Sequence, residues 1–333
     1  MKNILFILLF FPLLVVSQQS FNFLHDGLNR EYIFYSPNNL PVNAPLVFVA
    51  HGFNESPSYV MGYSGMNAVA DQNGFAICYP KGTADNLGRM FWNVGFDFHS
   101  NVTVDDVSFL ESLALHLQST YQLSSSNTFF TGFSNGGGMA NIIAFDGSNV
   151  FKAFAPVSGT VFPNGTINNL FNTNNSVPFL ITHALNDNVI LYEGDINDQY
   201  WGPYLGVDTL VNFWVNSNSL NNVIVDTFPD INNDGKITIS TKYYSSLNNI
   251  QVWLYTHEDD HNWILSDIII EQKIWDFFSL FINNSTELIE RNNNNKKLSS
   301  VFNLFGQKKI SAKNNLLLYQ YDDGTVEKKL ILK

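Results

Sequence analysis

The pentapeptide Gly132-Phe133-Ser134-Asn135-Gly136 fits the pattern G-x-S-x-G. That spacing suits a nucleophile. The flanking glycines let the backbone turn sharply from a strand into a helix, which leaves the serine hydroxyl exposed at the helix head. The neighbouring residues supply this context: Asn127–Thr131 reads as a strand and residues 135–146 as a helix. A serine hydroxyl needs a base to take its proton, and the base needs a carboxylate to orient it. With the nucleophile first in the chain, an acid and then a histidine are expected downstream. Asp187 follows the apolar run Pro178–His183, with Asp195 as its competitor. His261 follows the run Ile250–Thr256, with His257 as its competitor. A developing oxyanion needs backbone donors. The amides of Asn135 and of Phe53, in the loop His51-Gly52-Phe53, are the candidates.

The elements that must hold these residues alternate along the chain. Pro45–Ala50 and Phe75–Tyr79 are unbroken apolar runs, as expected for parallel strands covered on both faces. Asn101–Tyr121 sets Val107, Leu110, Leu113, Ala114, Leu117 and Tyr121 on one helical stripe. Phe154–Ser158 reads as a strand and Gly206–Val215 as a helix. Ile237–Tyr244 and Ile250–Thr256 read as strands across a turn, and Leu265–Ile282 as a closing helix. This alternation predicts an α/β fold with a mostly parallel, doubly wound sheet.

The 333 residues are 45% hydrophobic and 14% charged, a globular composition with ample apolar surface for a core. The net charge of −12 argues against a nucleic-acid partner, which calls for a basic patch. The single cysteine, Cys78, excludes an internal disulfide and sits in an apolar run as a core thiol. Trp92, Trp201, Trp214, Trp253 and Trp263 are candidates for a sugar or phenyl platform, with core positions as the simpler reading.

Three segments together resemble the extracellular polyhydroxybutyrate depolymerase and feruloyl esterase group of α/β-hydrolases. The first is Pro45–Gly52 with Trp92-Asn93. The second runs from Val104-Asp105-Asp106-Val107 through residues 131–140 to Phe154–Gly159. The third is His183-Ala184-Leu185-Asn186-Asp187, joined by His261-Asn262-Trp263. The resemblance covers about residues 25–282. It implies an α/β-hydrolase fold, Ser134 as nucleophile, Asp187 as acid, His261 as base, and hydrolysis of carboxylic esters without a cofactor. A polyhydroxybutyrate depolymerase-like esterase is the first expectation. A feruloyl or acetyl-xylan esterase acting on plant polysaccharide is the alternative. A non-catalytic surface-binding protein is the rival of another class. The sequence departs from the group's usual pattern at Phe91, Asp260 and Ile264, where a cysteine, a glycine and a proline are common.

Several features lie outside that frame. Residues 1–17 read as a signal peptide: a lysine, an apolar run Ile4–Val16 and a small residue, Ser17, before the cut. The apolar run is too short to span a bilayer, and no later segment is long and apolar enough to do so. Residues 18–285 are the expected esterase domain, 286–300 an Asn-rich linker and 301–333 a small β tail. Residues 287–333 hold nine Lys/Arg and five Asp/Glu, a balance of +4, which leaves −16 on the rest. Leu316–Tyr321 and Val326–Leu332 around Asp322-Asp323-Gly324 give a hairpin signal. With Val301–Gln307 and the terminal Lys328–Lys333, this tail resembles the C-terminal sorting domain of type IX secretion, although Leu317 stands where a glycine is frequent. That resemblance implies engagement of the secretion machinery and a secreted or cell-surface-attached enzyme. Finally, Asp230-Ile231-Asn232-Asn233-Asp234-Gly235 fits the first half of a calcium loop, with Asp230, Asn232 and Asp234 as candidate ligands. The twelfth position is Thr241 rather than glutamate, and a plain hairpin turn is the simpler reading.

Overall fold

The computed structural model describes residues 20–163 and 175–283, with three further strands at residues 298–303, 316–321 and 326–330. The expected signal peptide, most of the expected linker and much of the tail lie outside the described residues. The chain divides into two compact units at Asn283/Asn284.

The first unit is built on a ten-stranded sheet. Its strands are β1 (Ser20–His25), β2 (Leu28–Tyr35), β3 (Leu46–Ala50), β4 (Ala76–Pro80), β5 (Thr128–Phe133), β6 (Phe154–Val157), β7 (Phe179–Ala184), β8 (Asn222–Thr227), β9 (Thr238–Tyr244) and β10 (Gln251–His257). Their spatial order is β1-β2-β4-β3-β5-β6-β7-β10-β9-β8. The six strands from β4 to β10 in that order pair in parallel. Antiparallel strands close both edges. This is the expected α/β, mostly parallel, doubly wound architecture.

Parallel strands are wetted on neither face, and the sequence of β3 follows from that. Leu46, Phe48 and Ala50 enter one apolar cluster, and Val47 and Val49 enter the other. Helices cover both faces. On the first lie α3 (Asp106–Tyr121), α4 (Asn135–Asp146) and α5 (Val207–Ser217), through side chains such as Leu113, Ile143 and Trp214. On the second lie α1 (Pro57–Tyr63), α2 (Met66–Asn73) and α6 (Ile270–Ser279), through Val60, Val69 and Phe278. Cys78 is buried in β4, where loss of solvent pushes its thiol pKa well up.

Two helices are shorter than their apolar patterns predict. α3 starts at Asp106 rather than Asn101, because the Asp105 carboxylate accepts the Ser108 N–H and caps it (2.9 Å). α6 starts at Ile270 rather than Leu265. The Asp259 carboxylate takes the Ser266 N–H (3.1 Å) and Asp267 takes the Thr238 hydroxyl (3.0 Å), so residues 265–269 are held as a loop. Among the described residues no helix is long and apolar enough to cross a membrane.

The second unit contains an antiparallel three-stranded sheet of β11 (Leu298–Asn303), β12 (Leu316–Tyr321) and β13 (Val326–Leu330). β12 and β13 form the hairpin read from the sequence. β11 begins within the span expected to be linker.

Candidate active site

Parallel strands bring their C-terminal ends to one edge, so loops far apart in sequence converge there. β5, β6, β7 and β10 are successive neighbours, which gathers Ser134 after β5, Asp187 after β7 and His261 after β10.

Ser134 lies between β5 and α4 at φ 52°, ψ −114°, a conformation that side chains rarely adopt. Such backbone strain costs on the order of 1–3 kcal/mol and persists only where surrounding contacts fix it. Two contacts fix it here: the Ser134 N–H donates to the Val157 carbonyl (2.9 Å), and its carbonyl accepts from Gly138 (2.8 Å). The flanking glycines are steric necessities. A Cβ on Gly132 would lie 2.5 Å from Gly136 backbone atoms, and one on Gly136 would lie 2.4 Å from the Ala50 carbonyl oxygen. Ser134 itself is partly exposed.

Asp187 is 2% exposed, and both of its carboxylate oxygens accept hydrogen bonds. Oδ1 accepts the N–H groups of Val189 and Ile190, both at 2.9 Å. Oδ2 accepts His261 Nδ1–H at 2.6 Å and lies 3.3 Å from His183 Nε2. Burial alone raises the Asp187 pKa, but the His261 bond and charge, His183 and the Ile190 amide outweigh it and hold the carboxyl below its ordinary value. His183, fully buried with its pKa lowered chiefly by burial, donates Nε2–H to the Ile190 carbonyl (2.8 Å) and so braces the Asp187 loop. The His261 loop is pinned by Trp263, whose indole N–H donates to the Ser64 carbonyl (3.1 Å). The imidazole of His261 lies 5.0 Å from the Phe133 ring, next to Ser134. No hydrogen bond joins Ser134 Oγ to His261. Such bonds are often long before substrate binds.

The competing residues are elsewhere. His257 is wholly buried at the end of β10, its pKa pulled down to about 4 chiefly by burial. Asp195 accepts the Asn197 N–H (2.8 Å) in a short ribbon.

The loops bearing Phe53 and Asn135 are coupled through Trp92. The Asn135 side chain accepts the Trp92 N–H (2.7 Å) and donates to the Trp92 carbonyl (3.0 Å). The Trp92 indole in turn donates to the His51 carbonyl (3.0 Å). His51 Nε2 accepts the Gly82 N–H (3.0 Å), which leaves Nδ1–H to donate to the Gly52 carbonyl (2.7 Å). Asn93 extends the frame, its N–H bonding Asp106 (2.8 Å), which pairs with buried Arg30 (2.7 Å). Among the described residues, neither the Phe53 nor the Asn135 main-chain N–H has a protein acceptor.

Glu55 escapes the sequence reading, because no local pattern marks it. Its Oε2 accepts the Gly52 N–H (2.9 Å) and the Tyr63 hydroxyl (3.0 Å). Burial raises its pKa, while those bonds and the nearby His261 act the other way. On the far side of the loop, Phe53 packs against Phe96, Phe98 and Trp201 at 5.9, 5.8 and 5.6 Å, with the Arg89 guanidinium 5.1 Å over its ring. Trp92, Trp214 and Trp263 are fully buried and Trp253 is 7% exposed, so Trp201 alone of the five candidate platform residues reaches the surface appreciably.

Residues 30–173 match the family described as Esterase PHB depolymerase. The chain is 27% identical to a bifunctional acetylxylan esterase/xylanase of Neocallimastix patriciarum over 171 residues, 50% of this chain and 23% of that protein. It is 27% identical to a protein named Probable feruloyl esterase C from Aspergillus niger over 183 residues, 53% of this chain and 61% of that one. The chain thus spans less than two thirds of either relative. Among solved structures, an acetyl xylan esterase from Aspergillus awamori superposes with a TM-score of 0.56 at 17% identity, over 79% of this chain and 99% of that one. The fold is that of the α/β-hydrolases.

The buried histidines around the site make stability depend on pH. Burial lowers His51 and His257 from 6.5 to about 4. Below pH 6.5 the unfolded chain therefore binds protons that the folded chain refuses. Stability is full above that value and falls as the pH drops towards about 4. Thermal unfolding is expected to show a midpoint that drops by several degrees on acidification through this window. The drop should be smaller in His257→Leu, and an equal or larger drop in the variant would contradict the assignment.

Proposed function

We propose that this chain is a serine esterase that hydrolyses carboxylic esters by acyl transfer. Ser134 Oγ attacks the ester carbonyl while His261 Nε2 takes its proton, and Asp187 holds the Nδ1–H tautomer and stabilises the imidazolium. The amides of Phe53 and Asn135 receive the developing oxyanion. The imidazolium then protonates the departing alkoxide, and water, activated by the same histidine, releases the acyl group and restores Ser134. The observation that carries this reading is the pairing of a strained, partly exposed serine with a 2.6 Å Asp187–His261 bond at one sheet edge.

Two substrate classes fit the site. The family match favours a hydroxyalkanoate polyester such as polyhydroxybutyrate. The partly exposed aromatic surface of Phe53, Phe98, Tyr200 and Trp201 favours a feruloyl or acetyl ester on plant polysaccharide, as do the names of the two relatives. The discriminating assay is product release from amorphous polyhydroxybutyrate, methyl ferulate and acetylated xylan. Ser134→Ala should reduce turnover of the true substrate by roughly 10⁴-fold or more. Activity on the polyester alone selects the first class, and activity on either of the others the second. Turnover unchanged by Ser134→Ala would refute the mechanism.

The tail sequence and its three antiparallel strands support export through a type IX apparatus, with an extracellular or surface-attached product. Deleting residues 301–333 should strand the enzyme in the periplasm of its host. Normal export of the truncated chain would contradict this.

A further inference from the structure

We propose that the loop Asp230–Gly235 and the distant Asp267 form a calcium site that ties the β8–β9 hairpin to the loop carrying His261. The sequence pattern alone is incomplete, since Thr241 stands where a bidentate glutamate closes a calcium loop. The fold supplies an acid from another segment. Asp267 follows β10, and one carboxylate oxygen from each of Asp230, Asp234 and Asp267 lies within 4.8 Å of the other two.

The independent observation is the state of Asp267. It is 6% exposed, its Oδ2 accepts the Thr238 hydroxyl (3.0 Å), and its Oδ1 is buried with no hydrogen-bond partner among the described residues. A buried carboxylate oxygen left unpaired is costly, and two further carboxylates facing it add repulsion. A cation removes both penalties. The neighbouring ammonium does not do so. Lys236 Nζ bonds Asp259 at 2.8 Å and lies 3.9 Å from Asp234, while its own chain is substantially exposed.

The donor set selects the ion. The three carboxylates are hard oxygen ligands, with no imidazole or thiolate among them. That set suits calcium, whose coordination number and geometry are flexible, over zinc, and over magnesium, which demands a near-ideal octahedron. The site's connectivity gives it a consequence. Asp267 lies six residues after His261, and Asp259, which Lys236 of the same hairpin bonds, lies two before it. Calcium at Asp267 and the Lys236–Asp259 pair therefore tie the histidine loop to the hairpin from both sides.

The test uses the full-length chain, stripped with chelator and dialysed. Calorimetric titration with CaCl₂ should give one binding event per chain, and millimolar CaCl₂ should raise the thermal midpoint by several degrees. MgCl₂ should bind more weakly. Asp267→Asn keeps the shape and the Thr238 bond and should weaken calcium binding at least about tenfold. Asp230→Asn, at a half-exposed position that a fold tolerates, should do the same and serves if the first variant does not fold. No binding heat and no midpoint shift in the parent chain would overturn the proposal. Calcium binding unchanged in the folded variants, or magnesium binding as tight as calcium, would overturn it equally.

Discussion

Gly136, at the head of α4, presses its backbone against the carbonyls of Ala50 and His51 at the end of β3, so closely that no Cβ fits between them. That contact sets the depth at which α4 meets the sheet. It follows that the chain must turn at Ser134 within a single residue, which is why the serine sits at φ 52°. The same contact puts the first turn of α4 beside the loop after β3, so that the Asn135 side chain can engage Trp92 and Trp92 can engage His51. One close approach of two backbones thus fixes the conformation of Ser134 and sets the amides of Asn135 and Phe53 beside it. In the proposed mechanism such preorganisation is worth more than the number of bonds suggests, because nothing has to reorganise as charge develops.

The opposite side of the site is held differently. His261 has no strand of its own and stands on a loop that is anchored by three tethers. Asp187 holds the ring, Trp263 holds the chain to Ser64, and Asp259 ties the loop's start to Lys236. His183 and the amides of residues 189 and 190 fix the Asp187 carboxylate, so the acid is rigid while the histidine is only guided. The proposed mechanism, in which His261 takes a proton from Ser134 and then delivers it to a leaving group, benefits from that difference. The Asp267 site lies on the same loop, which links its occupancy to the order of the histidine.

The parts that were legible in the sequence are those with a local or strongly periodic signal. β3 and β4 are solid apolar runs because both faces are buried, and the Ser134 turn is local because its geometry is set by two glycines four residues apart. The edge hairpin of β1 and β2 was not read. One of its faces is wet, and Asn22, Asn29 and Glu31 interrupt the apolar pattern. α1 and α2 were missed because seven or eight residues are too few to display a 3.6-residue period. β8 carries Val223, Ile224 and Val225 on an exposed edge, where hydrophobicity does not report burial. Position along the chain left His257 and His261 open. The family resemblance chose His261, and the fold gives the physical reason by sinking His257 into the sheet and turning His261 towards Asp187. The Asn135–Trp92 pair had no signal at all, since it depends on segments brought together by strand order.

The proposed mechanism requires Ser134 to be an activated nucleophile. The most direct test is covalent labelling with a fluorophosphonate, followed by peptide mass spectrometry. A single stoichiometric adduct on Ser134 is expected, absent in Ser134→Ala and greatly slowed in His261→Ala. Folded protein that takes no label, or takes it on another serine, would contradict it and leave the fold as a scaffold for binding alone.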